Sequence, residues 1–212
     1  MSEFAYQVKI PKERLAVLIG KNGEIKKKLE SETGTKIEID SQDGDVTVSG
    51  EDALALYSTR DIIKAIGRGF NPELAFLLLK QDYAFEMVNL PDFEKPTQFM
   101  RIKGRIIGKE GKSRRLIEDY TGTYVSVYGK TVGIIGRTDT IHLARKAIEM
   151  LIKGSPHSNV YKWLEKMKRE VIRREYEENF DDYLKDDDNS KEESDSLKKN
   201  SEESEDESLL DE

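Results

Sequence analysis

Ile107-Gly108-Lys109-Glu110-Gly111, followed at once by Lys112-Ser113-Arg114-Arg115, is the stretch on which the reading of this chain turns. The same pattern stands earlier, at Ile19-Gly20-Lys21-Asn22-Gly23, with Lys26-Lys27-Lys28 behind it. Each copy then reaches a Thr-Gly pair, Thr33-Gly34 and Thr121-Gly122. Gly20, Gly23 and Gly34 map onto Gly108, Gly111 and Gly122 with one offset of 88 residues. A single Gly-x-x-Gly says little. Two copies with an apolar residue before, bases after and a Thr-Gly at fixed distance indicate a duplicated unit.

The surrounding periodicity places each copy between two short helices. Gln7 to Ile10 reads as a strand, ended by Pro11. Lys12 to Ile19 reads as a helix with Leu15, Leu18 and Ile19 on its apolar side, and Pro11 suits its start. A second helix runs from Glu24, with Ile25 and Leu29 four apart, and stops at Gly34. Lys36 to Asp40 alternates as a half-buried strand, Asp43-Gly44 marks a turn, and Val46 and Val48 lie on the next strand. Glu51-Asp52 opens a helix whose buried side carries Leu56, Ile63 and Ile66. The order is βααββα.

The second copy repeats it. Tyr83 to Leu90 is its opening strand, Thr97 to Ile107 and Lys112 to Tyr120 its two helices. Tyr124 to Tyr128 follows with Val125 and Val127 inward, then Thr131 to Ile135. Thr138 is expected to cap a last helix carrying Ile141, Ala144, Ile148 and Leu151. Between the copies, Asn71-Pro72-Glu73 starts a short apolar helix through Leu79. Ser158 is expected to cap one further helix, from Asn159 to about Tyr176, with Trp163 packing it onto the second repeat.

Ile-Gly-Lys-x-Gly between two helices resembles the KH RNA-binding domain, whose GxxG loop clamps the backbone of a single strand. The resemblance covers roughly residues 6–153. Only 19 residues precede Gly20, too few for an extra helix and strand, so the topology is expected to be type I, the eukaryotic-type arrangement with its long helix last. Ala65-Ile66-Gly67-Arg68-Gly69-Phe70 and Gly154-Ser155-Pro156-His157-Ser158 bring the chain closer still to one group. They resemble the archaeal two-KH-domain factors of small-ribosomal-subunit assembly, relatives of a eukaryotic KH protein that partners the rRNA 3′-end endonuclease. The expected fold is α+β, with KH domain 1 over 1–70, a connector helix over 71–82 and KH domain 2 over 83–154. A C-terminal helix over 155–180 and a disordered acidic tail over 181–212 complete it.

Composition agrees with a polyanion partner. The net charge of −7 hides an asymmetry. From Glu175 to Glu212 there are 18 acidic and 4 basic residues, a net of −14, which leaves a body at +7. A basic body suits a nucleic acid, and an acidic low-complexity tail suits disorder. The chain has no Cys, so no disulfide framework and no thiolate-bound metal. No signal peptide is expected, and the apolar run Leu74 to Leu79 is far too short for a bilayer, so no membrane association and a cytoplasmic location are expected.

The candidate RNA-binding residues are Gly20, Lys21, Asn22, Gly23, Lys26 and Lys27 in the first copy. In the second they are Arg105, Gly108, Lys109, Glu110, Gly111, Lys112, Arg114 and Arg115. Glycine lets a sugar–phosphate backbone approach the main chain, the helix that follows offers free N–H groups, and the bases add charge. Ile25 with Ile37, and Arg115 or Leu116 with Val125, are expected to form a floor for base faces. Tyr124 and Tyr128 lie on the strand that the resemblance places along the groove, and packing rather than base stacking is expected of either. Glu110 places an acid inside the second loop, which opposes a phosphate there. A tight turn without a ligand is the bland alternative, and two matched copies weigh against it.

A nucleotide-phosphate loop is the enzymatic rival, since Gly111-Lys112-Ser113 has the right ending, but the pattern needs glycine where Ile106 stands. His142 and His157 have no second ligand at metal spacing, and no catalytic constellation or cofactor is expected. The resemblance implies a non-catalytic protein that binds single-stranded RNA near the 3′ end of small-subunit rRNA. It implies the rRNA 3′-end endonuclease and the alpha subunit of translation initiation factor 2 as partners. A general KH-type RNA-processing or RNA-degradation cofactor would carry the same motifs. A protein-interaction adaptor with vestigial GxxG loops is the rival from another class.

Overall fold

A computed structural model describes residues 4–92, 95–174 and 176–177. The first repeat runs β1 (Phe4–Lys9), α1 (Lys12–Ile19), α2 (Glu24–Thr33), β2 (Lys36–Asp40), β3 (Asp45–Gly50) and α3 (Ala53–Gly67). A short α4 (Pro72–Ala75) and a 3-10 turn (Phe76–Leu79) connect it to the second. That repeat runs β4 (Tyr83–Asn89), α5 (Pro96–Ile107), α6 (Lys112–Thr121), β5 (Tyr124–Tyr128), β6 (Thr131–Arg137) and α7 (Ile141–Ile152). Each repeat is α+β, with a three-stranded antiparallel sheet in the order β1-β3-β2 or β4-β6-β5. Both have the expected βααββα order.

In the first repeat Val8, Val46, Val48 and Ile37 face the helices and are buried with Leu18, Leu29, Leu56, Ile62 and Ile66. In the second, Val88, Val125, Val132 and Ile134 meet Ile106, Ile117, Ala144 and Ile148. Each fully buried Leu or Ile contributes roughly 1.5–3 kcal/mol relative to exposure, which is what holds helices this short in place.

The two sheets differ on their other faces. Ala5, Gln7, Lys9, Lys36 and Glu38 are exposed on the outer side of the first. The outer side of the second carries Phe85, Gly133 and Ile135, and Ile135 is buried in the first repeat's core cluster. Phe70, just past α3, meets Phe85 edge to face at a centroid distance of 6.2 Å. Ser126 donates to the carbonyl of Arg68 at 2.8 Å, and the Tyr128 hydroxyl donates to the Glu13 carboxylate. The repeats are thus packed together through the sheet of one and the end of α3 of the other. Residues 4–165 form one compact unit.

Several boundaries differ from expectation for local reasons. β1 begins at Phe4, because Phe4 to Gln7 pair with Gly50 to Thr47. The last helix of the second repeat begins at Ile141 with Thr140 before it and no side-chain cap; Thr138 instead donates its amide to Asp82 at 2.9 Å, closing the sheet end. The helix expected from Asn159 begins at His157, so Ser158 does not cap it. The carbonyl of Pro156 accepts from Asn159 and Val160 there, since proline's fixed φ favours a helix start. Val160 and Leu164 are buried in the second core, and half-buried Trp163 packs against it with the Lys146 ammonium 5.2 Å from its ring centre. Residues 166–174 are helical and belong to a second unit that starts at Lys166, with a Lys166–Glu170 contact at 3.8 Å. The tail expected over 181–212 lies outside the described residues.

Candidate nucleic-acid interface

Both GxxG segments fold into the same backbone. Gly20 (φ 72°, ψ −180°), Asn22 (55°, 25°) and Gly23 (77°, 15°) match Gly108 (74°, 176°), Glu110 (54°, 27°) and Gly111 (78°, 10°) within a few degrees. The first glycine is required by close approach. A Cβ on Gly20 would lie 2.5 Å from Ile25 Cγ1, and one on Gly108 would lie 2.7 Å from the Ser113 amide nitrogen. A Cβ on Gly23 or Gly111 would meet only Lys27 or Arg115 at an ordinary 3.9 Å, so these two owe their identity to the left-handed backbone.

The third residue of each loop is left-handed without being glycine. Asparagine tolerates that conformation; Glu110 is strained there. Strain held at an exposed loop tip between two ordered helices is a mark of a functional position.

Lys21, Asn22, Lys27, Lys109, Glu110, Lys112 and Arg115 are all exposed around the loops. Among the described residues, Lys21, Lys27, Lys109, Lys112 and Arg115 have no carboxylate within ion-pair distance. Lys26 stands 3.8 Å from Glu30, and Arg114 Nε 3.6 Å from Glu118. The N-termini of α2 and α6 carry no side-chain cap, and the amides of Glu24 and Lys112 that open them donate to the carbonyls of Lys21 and Lys109.

The Thr-Gly pairs prove to be braces. Thr33 and Thr121 donate to Leu29 and Ile117, each at 2.7 Å, and meet Thr35 and Thr123 at 2.8 and 2.9 Å. Glu30 and Glu118 accept from the amides of Ile37 and Val125 at 2.9 and 2.8 Å. Burial raises the Glu118 pKa, opposed by the Val125 amide and the Arg114 charge.

Arg105 is placed differently from the other candidates. Its Nη2 donates to the Ser155 carbonyl at 2.6 Å and its Nε to Leu151 at 3.4 Å, while His157 Nε2 meets the Arg105 carbonyl at 2.9 Å. It therefore clamps α5 to the end of α7 instead of facing a strand. Arg14, which sequence reasoning passed over, does the same on α1, donating to Ile66 at 2.8 Å and Phe70 at 2.7 Å.

The expected base floor is also corrected. Ile37 and Val125 are 0% and 3% exposed, so neither can take a base face; Ile25 and Leu116 are half-buried beside the loops. Tyr124 and Tyr128 lie on the outer face of the second sheet with Ser126, away from the helices, because the alternation that buries Val125 turns them there. Ser113 is 2% exposed, and its hydroxyl and Arg114 Nε are buried without hydrogen-bond partners. A helix precedes the second loop, so a nucleotide-phosphate loop is excluded there.

The chain is similar to known proteins in sequence and fold. Residues 5–67 match the KH domain family, and residues 84–169 match the eukaryotic-type KH domain, type I. A KH domain-containing protein of Methanocaldococcus jannaschii is 48% identical over 175 residues, covering 80% of this chain and 77% of that protein. A chain in the crystal structure of the a/eIF2alpha–aDim2p–rRNA complex of Pyrococcus horikoshii superposes with a TM-score of 0.74 at 49% identity, covering 79% of this chain and 96% of that one. The chain belongs to the Dim2/PNO1-like family of KH-domain proteins. The pre-rRNA-processing protein pno1 of Aspergillus fumigatus is 36% identical over 120 residues, which span 55% of this chain and about half (48%) of that relative. For a Dim2/PNO1-like chain, type I topology in both repeats is the arrangement the sheet orders show. Among the described residues no helix is long and apolar enough to cross a membrane.

Proposed function

We propose that this chain binds single-stranded RNA through its two GxxG loops and acts, without catalysis of its own, in small-subunit ribosome assembly near the 3′ end of small-subunit rRNA. The observation that carries the reading is the 49% identity to a chain in a complex with rRNA, over nearly all of that chain. The loop geometry supports it: two left-handed turns, each opening a helix without a side-chain cap, beside Lys21 and Lys27 in one and Lys109, Lys112 and Arg115 in the other, which have no carboxylate partner among the described residues. The RNA-binding residues proposed are the candidates of the two loops other than Arg105. The alpha subunit of translation initiation factor 2 and the rRNA 3′-end endonuclease are the partners proposed, the first because it shares that complex.

The test is a titration of the purified protein with a single-stranded RNA copying the 3′ end of its own small-subunit rRNA, against a scrambled strand of equal length. Tighter binding to the rRNA strand, weakening with salt, is expected. Equal affinity for both strands would assign the chain to general RNA binding instead.

A further inference from the structure

Outside both loops, three cations surround a small cleft where the two repeats meet. Lys9 on β1, Lys64 on α3 and Arg68 just after it rim a cavity of about 180 Å³. Its floor is Val8 and Ile10, both buried, and its far wall is Met87 of β4, which is 42% exposed. The first repeat supplies the cations and the second supplies the thioether, so the cleft exists only because the repeats pack together.

The charges are weakly neutralised. Lys9, itself exposed, reaches half-buried Asp45 only at 3.8 Å, and half-buried Lys64 reaches half-buried Asp61 only at 3.9 Å, at the edge of ion-pair distance. Among the described residues Arg68 pairs with no carboxylate; its Nε donates to Met87 Sδ at 3.4 Å, a weak acceptor. A guanidinium resting on a thioether leaves its remaining N–H groups for a stronger acceptor, and phosphate fits that fork. Cations beside an exposed thioether match a nucleotide, with its phosphate at the rim and its base against Met87.

The position fits a strand already held by the first loop. Ile10 donates to Gly44 of the β2–β3 turn at 3.0 Å, and α1 begins two residues later. The eight residues of α1 separate this end from Gly20 by about 12 Å. A strand leaving the loop along α1 reaches the cleft within a few nucleotides.

We infer that this seam cleft is a further contact site for single-stranded RNA, binding one nucleotide through Lys64 and Arg68 and joining the two repeats into one continuous RNA surface. The inference rests on the RNA-binding reading above and adds a site distinct from both GxxG loops.

A fluorescence titration of a 20-nucleotide single-stranded RNA tests it, with a Lys64→Glu, Arg68→Glu variant, a Lys9→Gln, Lys64→Gln variant and a Lys109→Asp, Glu110→Asp loop variant. The first is expected to bind about fivefold more weakly, the second about twofold. The slope of log affinity against log salt should become shallower by roughly 0.7 for each phosphate that the variant no longer neutralises. If the first variant melts lower than wild type, the second, which leaves every backbone contact of Arg68 in place, decides. Wild-type affinity and slope in the seam variants, beside a loss in the loop variant, would overturn this inference alone. Salt-insensitive binding that none of the variants changes would overturn the RNA reading itself.

Discussion

Gly133 on β6 lies against the ring of Phe70, so closely that a Cβ there would stand 2.8 Å from Phe70 Cε2 and 3.2 Å from Phe85 Cε2. This packing joins the repeats, and both rings are held by their own edge-to-face arrangement. Gly133→Ala is expected to destabilise the protein by about 1–3 kcal/mol through overpacking. It should also expose the connector around residues 71–82 to protease. Chemical denaturation and limited proteolysis check both, and unchanged stability would mean the seam yields.

Arg105→Ala should behave as a structural substitution. Its guanidinium holds the carbonyls of Leu151 and Ser155, 46 and 50 residues away. Loss of a charged hydrogen bond to a part-buried acceptor costs roughly 1.5–3 kcal/mol. The melting temperature should fall while RNA affinity, measured well below it, stays within about twofold. A large affinity loss at unchanged stability would restore Arg105 to the binding surface.

Glu110→Asn should act in two ways. It places a residue tolerant of φ 54° at the strained tip, a gain of about 1 kcal/mol or less, and it removes an acid from the loop. Thermal melts should rise slightly and RNA affinity should increase. Weaker RNA binding would show that the carboxylate contacts the ligand, for instance through a base amino group.

Glu118→Gln carries a pH signature. Burial raises the folded-state pKa above the ordinary value of 4.5, so the folded protein holds this proton more tightly than the unfolded chain. Stability is then lost as pH rises from 4.5 through the folded value. The glutamine carbonyl can still accept the Val125 amide. The variant should therefore melt higher than wild type at pH 7, with the gap closing as pH falls below 4.5. A variant that melts lower at pH 7 would show that the charged hydrogen bond outweighs burial.

The loops and helix limits were legible because glycine and apolar spacing are local signals. Gly34 and Gly122 end their helices in the left-handed conformation, and Leu15, Leu18 and Leu29 are buried where periodicity puts them. The packing of the repeats also had a signal that went unread. Val132-Gly133-Ile134-Ile135-Gly136 does not alternate, and a strand that is apolar on both faces is covered on both. Pairing against it turns Tyr124 and Tyr128 to the outer face of the sheet. Arg14 and Arg105 were not legible at all. Their acceptors are helix-end carbonyls 46 to 56 residues distant, and nothing in the local pattern separates a clamping arginine from a phosphate-binding one.

The central claim is that the GxxG loops bind RNA and that the second binds more strongly. From Arg101 to Arg115 there are seven bases and one acid, against four bases and two acids from Glu13 to Lys27. Setting aside the two clamps, Arg105 and Arg14, leaves +5 against +1, so the difference survives the correction. Titrating single-stranded RNA with Lys109→Asp, Glu110→Asp and with Lys21→Asp, Asn22→Asp measures it most directly. Removing one charge-assisted hydrogen bond to a phosphate weakens binding by roughly 1.5–3 kcal/mol. The second-loop variant should lose at least about tenfold in affinity and the first-loop variant less, both with unchanged melting temperatures. A larger loss in the first-loop variant, or no loss in either, would contradict the account.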